Sequence, residues 1–282
     1  MNFDDAYANG KYIDDADAIS SGWAVMASQF RDNHPHMDLD LGYGDHPRQK
    51  MDLFYPDNPP VGLAIFIHGG YWMRLDKDSW SHLAAGALAH GYAVMMPSYR
   101  LAPEVGLDRI ASDVANAVTV ASGLIAGPIM LSGHSAGGHL VTRLIAHDGI
   151  SEGLLTHDVV ARIRRVTSIS GVHDLRPLIQ TEMNNILAIT KQMAKEQSPA
   201  LLAPLPQILD NETIVTCHVG ENERPEFRRQ NDLQAIIWGG LGLCTDCHHA
   251  PGKHHFDVIN DLTMKDSRLT KSFVGTPDSR KI

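Results

Sequence analysis

Only three cysteines, Cys217, Cys244 and Cys247, occur in 282 residues. That is too few for a disulfide framework, and a reducing cytoplasm is the expected compartment. The chain has no apolar run of roughly eighteen residues, so no membrane span is expected. Its first residues, MNFDDAYANGKYIDDADAIS, are acidic and polar. They lack the basic start and apolar stretch of a secretory signal. Basic clusters are scarce as well. The formal net charge is −9, and the densest basic run, RIRRV at 162–166, leads straight into an apolar segment. It reads as a solvated edge, and nucleic acid is not expected as a partner. No phosphate loop, dinucleotide fingerprint or H-E-x-x-H metal motif appears. Gly69 and Gly70 stand without the further glycines of a nucleotide site. No cofactor is therefore expected.

What remains is an ordinary globular mixture, 43% hydrophobic and 20% charged, of a length that one domain spanning residues 1–282 can hold. The middle of the chain alternates strand-like with helix-like pieces. GLAIFIHGG (62–70), YAVMMPSY (92–99), GPIMLS (127–132), RVTSISGV (165–172), ETIVTCHVG (212–220) and, more weakly, LGLCTDCHH (241–249) read as strands. Apolar residues at helical spacing fill 80–90, 108–121 and 225–238. Such alternation predicts an α/β fold with a mostly parallel central sheet and helices on both faces. Two regions fall outside the rhythm. Residues 1–45 show little strand signal and predict a helical N-terminal extension. Residues 174–210 predict a helical, cap-like insertion of the kind that often covers a site at strand ends. The terminal DSRLTKSFVGTPDSRKI reads as a loosely held tail.

The clearest chemistry lies in GHSAGG, 133–138. It contains G-x-S-x-G between a strand and a helix, the context that a nucleophile elbow demands. A sharp turn there lifts Ser135 Oγ out of the sheet at a helix N-terminus. The N–H of Ala136 then faces the oxyanion formed on attack. HGGYW at 68–72 ends an earlier strand. Its glycines, Gly69 and Gly70, let backbone N–H groups approach the same oxyanion. His68 is expected to shape this loop rather than move protons. Tyr71 and Trp72 suit either a pocket for a planar substrate or the plain core.

A serine nucleophile needs a base, and the base needs an acid that fixes its tautomer. The chain order for this layout is serine, acid, histidine. After the strand 212–220 come Glu221, Glu223 and Glu226; Asp174 follows an earlier strand. Glu223 lies mid-loop and is favoured by spacing, while the others stay open. GKHHFDVI supplies His254 and His255, and sequence chemistry does not choose between them. Arg176 and Arg224 fall near the expected rim, either as partners for a substrate carboxylate or as plain surface cations.

These motifs resemble those of the α/β-hydrolases, in the branch of hormone-sensitive-lipase-like esterases with an HGG loop and a GHSAGG elbow. More closely, the chain is similar to the kynurenine formamidase (arylformamidase) group, through HGGYW, GENERPEFRRQ (220–230), the HF of HHFDVI and the N-terminal YANGKY. The resemblance implies a metal-independent serine hydrolase of the α/β-hydrolase fold. It places the triad acid on Glu223, where many relatives carry aspartate, and the triad base on His255. It implies that the YANGKY segment helps to wall the pocket. The implied reaction converts N-formylkynurenine to kynurenine and formate. The alternative is a carboxylesterase acting on small esters. A small-molecule substrate is expected either way, and a homodimer is compatible with the sequence.

CTDCHHAPGKHHFDVI (244–259) also has the look of a zinc site. Its Cys-x-x-Cys spacing suits zinc, but the spacing to His248 and His254 does not. Strand alternation would send Cys244 and Cys247 to opposite faces. No metal is expected there.

Overall fold

The computed structural model describes residues 2–147 and 153–275. Short apolar runs bounded by turn residues form its centre. The strands are β1 (Met37–Gly42), β2 (Lys50–Phe54), β3 (Leu63–Ile67), β4 (Ala93–Pro97), β5 (Ile129–His134), β6 (Ile163–Ile169), β7 (Ile214–Gly220) and β8 (Cys244–Ala250). They make one eight-stranded sheet in the order β1-β2-β4-β3-β5-β6-β7-β8. β2 runs antiparallel to both β1 and β4, and all pairs from β4 to β8 are parallel. This is the mostly parallel α/β sheet that the strand–helix alternation predicts.

The inner strands are buried on both faces, which explains their unbroken apolar runs. In β3, Leu63, Ile65 and Ile67 enter one core while Ala64 and Phe66 enter the other. The first core is covered by the helices Leu107–Leu124, Ala136–Leu144 and Pro225–Gly240. Leu107, Ile110, Ala111, Val114, Ala117, Val118 and Ala121 put one apolar stripe of the first of these on the sheet, at the spacing an amphipathic helix requires. The second core holds Trp23 of the helix Ala16–Asn33, with Trp80, Leu262, Leu269 and Phe273.

Three segments differ from expectation. Residues 1–45 are not helical throughout, because β1 lies within them. Its sequence, MDLDLG, alternates acid with apolar residues, but its side chains are half-buried or exposed, so the apolar signal of a core strand is missing. β2 was likewise not legible as a strand. Residues 174–210 form short helical turns such as Arg176–Gln180, Asn184–Leu187 and Lys191–Glu196. Leu178, Leu187, Ala194 and Ile208 anchor them in the first core. Finally, the tail reading fails for Arg268–Val274, a helix capped by Ser267 with Leu269 and Phe273 buried. Residues 276–282 lie outside the described residues.

Besides His255, six histidines are buried among the described residues. Burial depresses His68, His82 and His139 to about 4, and His173 and His218 to about 3, from an ordinary 6.5. It drives His134 well below that value too. Each is neutral when folded but takes a proton more readily once unfolded. The unfolded chain therefore binds more protons below pH 6.5, so stability falls as pH drops from 6.5 toward about 4. Urea midpoints should decline steeply across that window; a flat profile from pH 7 to 4 would contradict this assignment.

Candidate active site

Of the residues singled out by sequence, Ser135, Glu223, His255, Gly69, Gly70 and Tyr71 come together at the C-terminal ends of the strands, where parallel α/β sheets hold their ligands. Ser135 follows β5 directly and opens the helix Ala136–Leu144 with φ 55° and ψ −114°. A non-glycine residue with positive φ is strained and survives only where its surroundings over-determine it. Here the constraint is packing. A Cβ on Gly137 would lie 2.0 Å from the Ile67 carbonyl oxygen, so only glycine lets the helix start this close to the end of β3. The Ser135 N–H is tied to Ile169 O at 2.8 Å.

The loop after β3 sits against this turn. A Cβ on Gly69 would come within 3.1 Å of the Ser135 Cβ, so the Gly69 backbone lies in contact with the serine. His68 holds the loop from behind. Its ring stacks on Tyr99 at 4.3 Å, its Nδ1–H donates to Gly69 O at 2.6 Å, and Tyr99 Oη donates to its carbonyl at 2.9 Å. Gly70, at φ 115°, accepts from the N–H groups of Met73 and Arg74.

Glu223 and His255 are in direct contact. The His255 Nδ1–H donates to Glu223 Oε2 at 2.7 Å, with both residues about 95% buried. The other carboxylate oxygen accepts from Gly220 N–H at 2.8 Å and from Ser170 Oγ. The loops carrying the two residues are joined by backbone bonds, Glu221 N–H to Ala250 O and Asn222 N–H to Lys253 O, both 2.9 Å. The His255 ring packs against His134 and Phe227, each 4.6 Å away centre to centre. Because burial keeps His134 uncharged, it does not repel positive charge on its neighbour.

The competing candidates are occupied elsewhere. Asp174 makes a two-pronged pair with Arg176. Glu226 binds Arg229, Gln230 and Tyr7. Among the described residues the Glu221 carboxylate accepts from the Gly252 N–H, at 3.4 Å. His254 Nδ1 accepts from the N–H groups of Phe256 and Asp257, which makes it a turn cap.

Ser135 and His255 open onto one cavity of about 400 Å³, together with Gly69, Gly70 and Tyr71. Its remaining wall meets one expectation, since Gly10 belongs to the YANGKY segment, and departs from another. No described residue of 174–210 lines it, whereas Gly10, Asp17 and Trp23 of the N-terminal segment do. Tyr7 O and Asn9 Nδ2 hold the Tyr71 hydroxyl at 2.8 and 3.2 Å and tether that segment to the loop after β3. Trp72 is not a pocket residue; it is buried, edge-on to His139 at 5.1 Å. Arg176 and Arg224 do not line the cavity either. Arg176 serves Asp174, while Arg224 pairs with Asp5 at 2.6 Å and stacks on the Tyr12 ring. Sequence reasoning passed over Ser170 and gave no site role to Trp80, and it quoted Phe227 and Phe256 only as parts of motifs, not as walls of the site.

The zinc-like stretch is distributed differently from its motif. Cys244 is exposed, and Cys247 and His249 both bond Asp232 Oδ1, at 3.2 and 2.8 Å. Among the described residues these three are the one group whose ligand atoms lie within 4.8 Å of one another, and they are not the set that the spacing suggested.

Known proteins resemble this chain over most of its length. The BD-FAE family model matches residues 51–215. Kynurenine formamidase of Salmo salar is 30% identical over 215 residues, covering 75% of this chain and 71% of the relative. That of Danio rerio is 30% identical over 238 residues, covering 83% and 79%. Among solved structures, a protein of Silicibacter sp. provisionally assigned as a thioesterase superposes with a TM-score of 0.89 at 44% identity, covering 97% of this chain and 99% of its own. Esterase B of Lactobacillus Rhamnosis shares the fold, with a TM-score of 0.63 at 19% identity, covering 86% and 87%.

The anchoring of Glu223 by Gly220 and Ser170 makes its length matter. Glu223→Asp retracts the carboxylate by one methylene, and a displacement near 1 Å should lower kcat about 100-fold. Ser170→Ala should give a smaller loss. Steady-state kinetics on the two variants check the order; an unimpaired Glu223→Asp enzyme would show that the glutamate's reach is unimportant.

Proposed function

The chain belongs to the BD-FAE family within the α/β-hydrolases, alongside the kynurenine formamidases, and from that premise we propose that it hydrolyses aryl formamides through Ser135, His255 and Glu223. The observation that carries this reading is the buried Glu223–His255 hydrogen bond opening onto the same cavity as the strained Ser135.

Fixing Nδ1–H toward Glu223 leaves His255 Nε2 as the proton acceptor. Ser135 Oγ attacks the formyl carbon as Nε2 takes its proton, and Glu223 stabilises the resulting imidazolium. The oxyanion is held by the N–H of Ala136 with those of Gly69 and Gly70. His255 then protonates the departing aniline nitrogen, which leaves a formyl ester on Ser135. Water, deprotonated by His255, attacks that ester; formate leaves and Ser135 recovers its proton.

The cavity suits such a substrate in two respects. Gly69 presses close to Ser135, which favours a very small acyl group. The Trp23, Trp80, Tyr71 and Phe256 rings along the wall suit an aromatic leaving group. No described helix is long and apolar enough to cross a membrane. Three free cysteines suit a reducing compartment, and we assign the protein to the cytoplasm.

Wild-type enzyme should hydrolyse N-formylkynurenine with a higher kcat/KM than p-nitrophenyl butyrate or a short acyl thioester. Activity should survive a chelator. Ser135→Ala should remove all but a residue of about a thousandth or less. Preference for the ester would replace the formamidase reading with a carboxylesterase. Retained activity in Ser135→Ala would remove the serine mechanism altogether.

A further inference from the structure

Two charged side chains at the cavity are unexplained by the chemistry at Ser135. Asp17 and Arg74 are the one carboxylate and the one guanidinium among its described lining residues. Both are exposed, and among the described residues neither belongs to an ion pair. The contrast with the neighbouring charges is sharp: Asp5 is paired with Arg224, Asp174 with Arg176 and Glu226 with Arg229. Isolated opposite charges on the wall of one cavity are a common way to recognise a ligand that carries both signs.

Their placement is fixed by the fold. Arg74 lies four residues beyond the Gly70 turn, its N–H bound to Gly70 O at 3.1 Å and its guanidinium 5.5 Å from the Tyr71 ring centre. Asp17 lies in the first turn of the helix Ala16–Asn33. That same helix brings Trp23 to the cavity, where its ring contacts Trp80 at 4.7 Å and Phe256 at 5.2 Å. The indole nitrogens of Trp23 and Trp80 are buried without a hydrogen-bond partner among the described residues. A ligand with an aromatic body, a carbonyl acceptor and a zwitterionic end matches this combination.

We infer that Asp17 and Arg74 form a subsite for the α-amino-acid end of the substrate, with Asp17 taking the ammonium and Arg74 the carboxylate. This rests on the aryl formamidase reading given above. Arg74 presents a planar fork of donors suited to a carboxylate. Asp17 carries the complementary charge for an amine. The two act as specificity-determining residues: they select an aryl formamide bearing an amino acid over one without it. Arg176 and Arg224, the cations that sequence position suggested, are already held by carboxylates and do not line the cavity.

The test compares N-formylkynurenine with formanilide, which lacks the amino-acid end, in wild type, Asp17→Asn and Arg74→Gln. The ratio of kcat/KM for the two substrates should fall about tenfold or more in each variant, mainly through KM. Asp17→Glu and Arg74→Lys should recover part of it. The deaminated analogue of N-formylkynurenine keeps the carboxylate, and on it Arg74→Gln alone should lose. Thermal midpoints check that the variants fold. If wild type prefers N-formylkynurenine while both variants keep its ratio within about twofold, the subsite is overturned and the formamidase reading stands. If wild type itself favours p-nitrophenyl butyrate, the formamidase reading falls first.

Discussion

The close passage of Gly137 beneath the end of β3 is the constraint on which the rest of the site depends. With no side chain at residue 137, the helix Ala136–Leu144 begins against the Ile67 carbonyl. That forces Ser135 into positive φ and holds it beside Gly69. The strain is sustained by the buried strands on either side, β3 and β6, which neither side chain nor solvent can loosen cheaply. The proposed nucleophile and oxyanion donors are thereby placed chiefly by backbone packing, with the His68 ring bracing the loop from behind.

The second half of the site is assembled by hydrogen bonding across two loops. Gly220, Ser170 and His255 together satisfy the Glu223 carboxylate, so a buried charge keeps full compensation. The backbone bonds from Glu221 and Asn222 to the loop after β8 tie the Glu223 and His255 loops together. His134 and Phe227 then pack against the ring, each 4.6 Å away centre to centre. Burial keeps the neighbouring His134 neutral, so it adds no positive charge beside the His255 ring. The same burial makes the fold sensitive to acid, so site electrostatics and stability have a common origin.

Much of this was legible in the sequence because it is local. The buried strands β3, β4, β5, β6 and β7 announce themselves as apolar runs, since both of their faces are covered. GHSAGG and HGGYW specify turns whose geometry follows from neighbouring glycines. Less legible were features set by distant packing. β1 is exposed, so its alternation of acid with apolar residues carried no core signal. Leu269 and Phe273, one helical turn apart, marked a docked helix within a segment that reads as a tail. His254 and His255 are chemically alike in sequence; what separates them is that one caps a turn and the other meets Glu223. The cavity wall beyond the YANGKY segment was hardest to foresee. Asp17 and Trp23 line the cavity of Ser135 from more than a hundred residues earlier in the chain, through a helix docked on the second core.

The central claim is that Ser135 is the nucleophile of a relay through His255 and Glu223. Labelling the intact enzyme with a fluorophosphonate, followed by mass mapping of its peptides, tests this most directly. The account predicts a single adduct, on the peptide that carries Ser135, and its disappearance in His255→Ala. An adduct on another residue, or labelling that is as fast in His255→Ala as in the wild type, would contradict it.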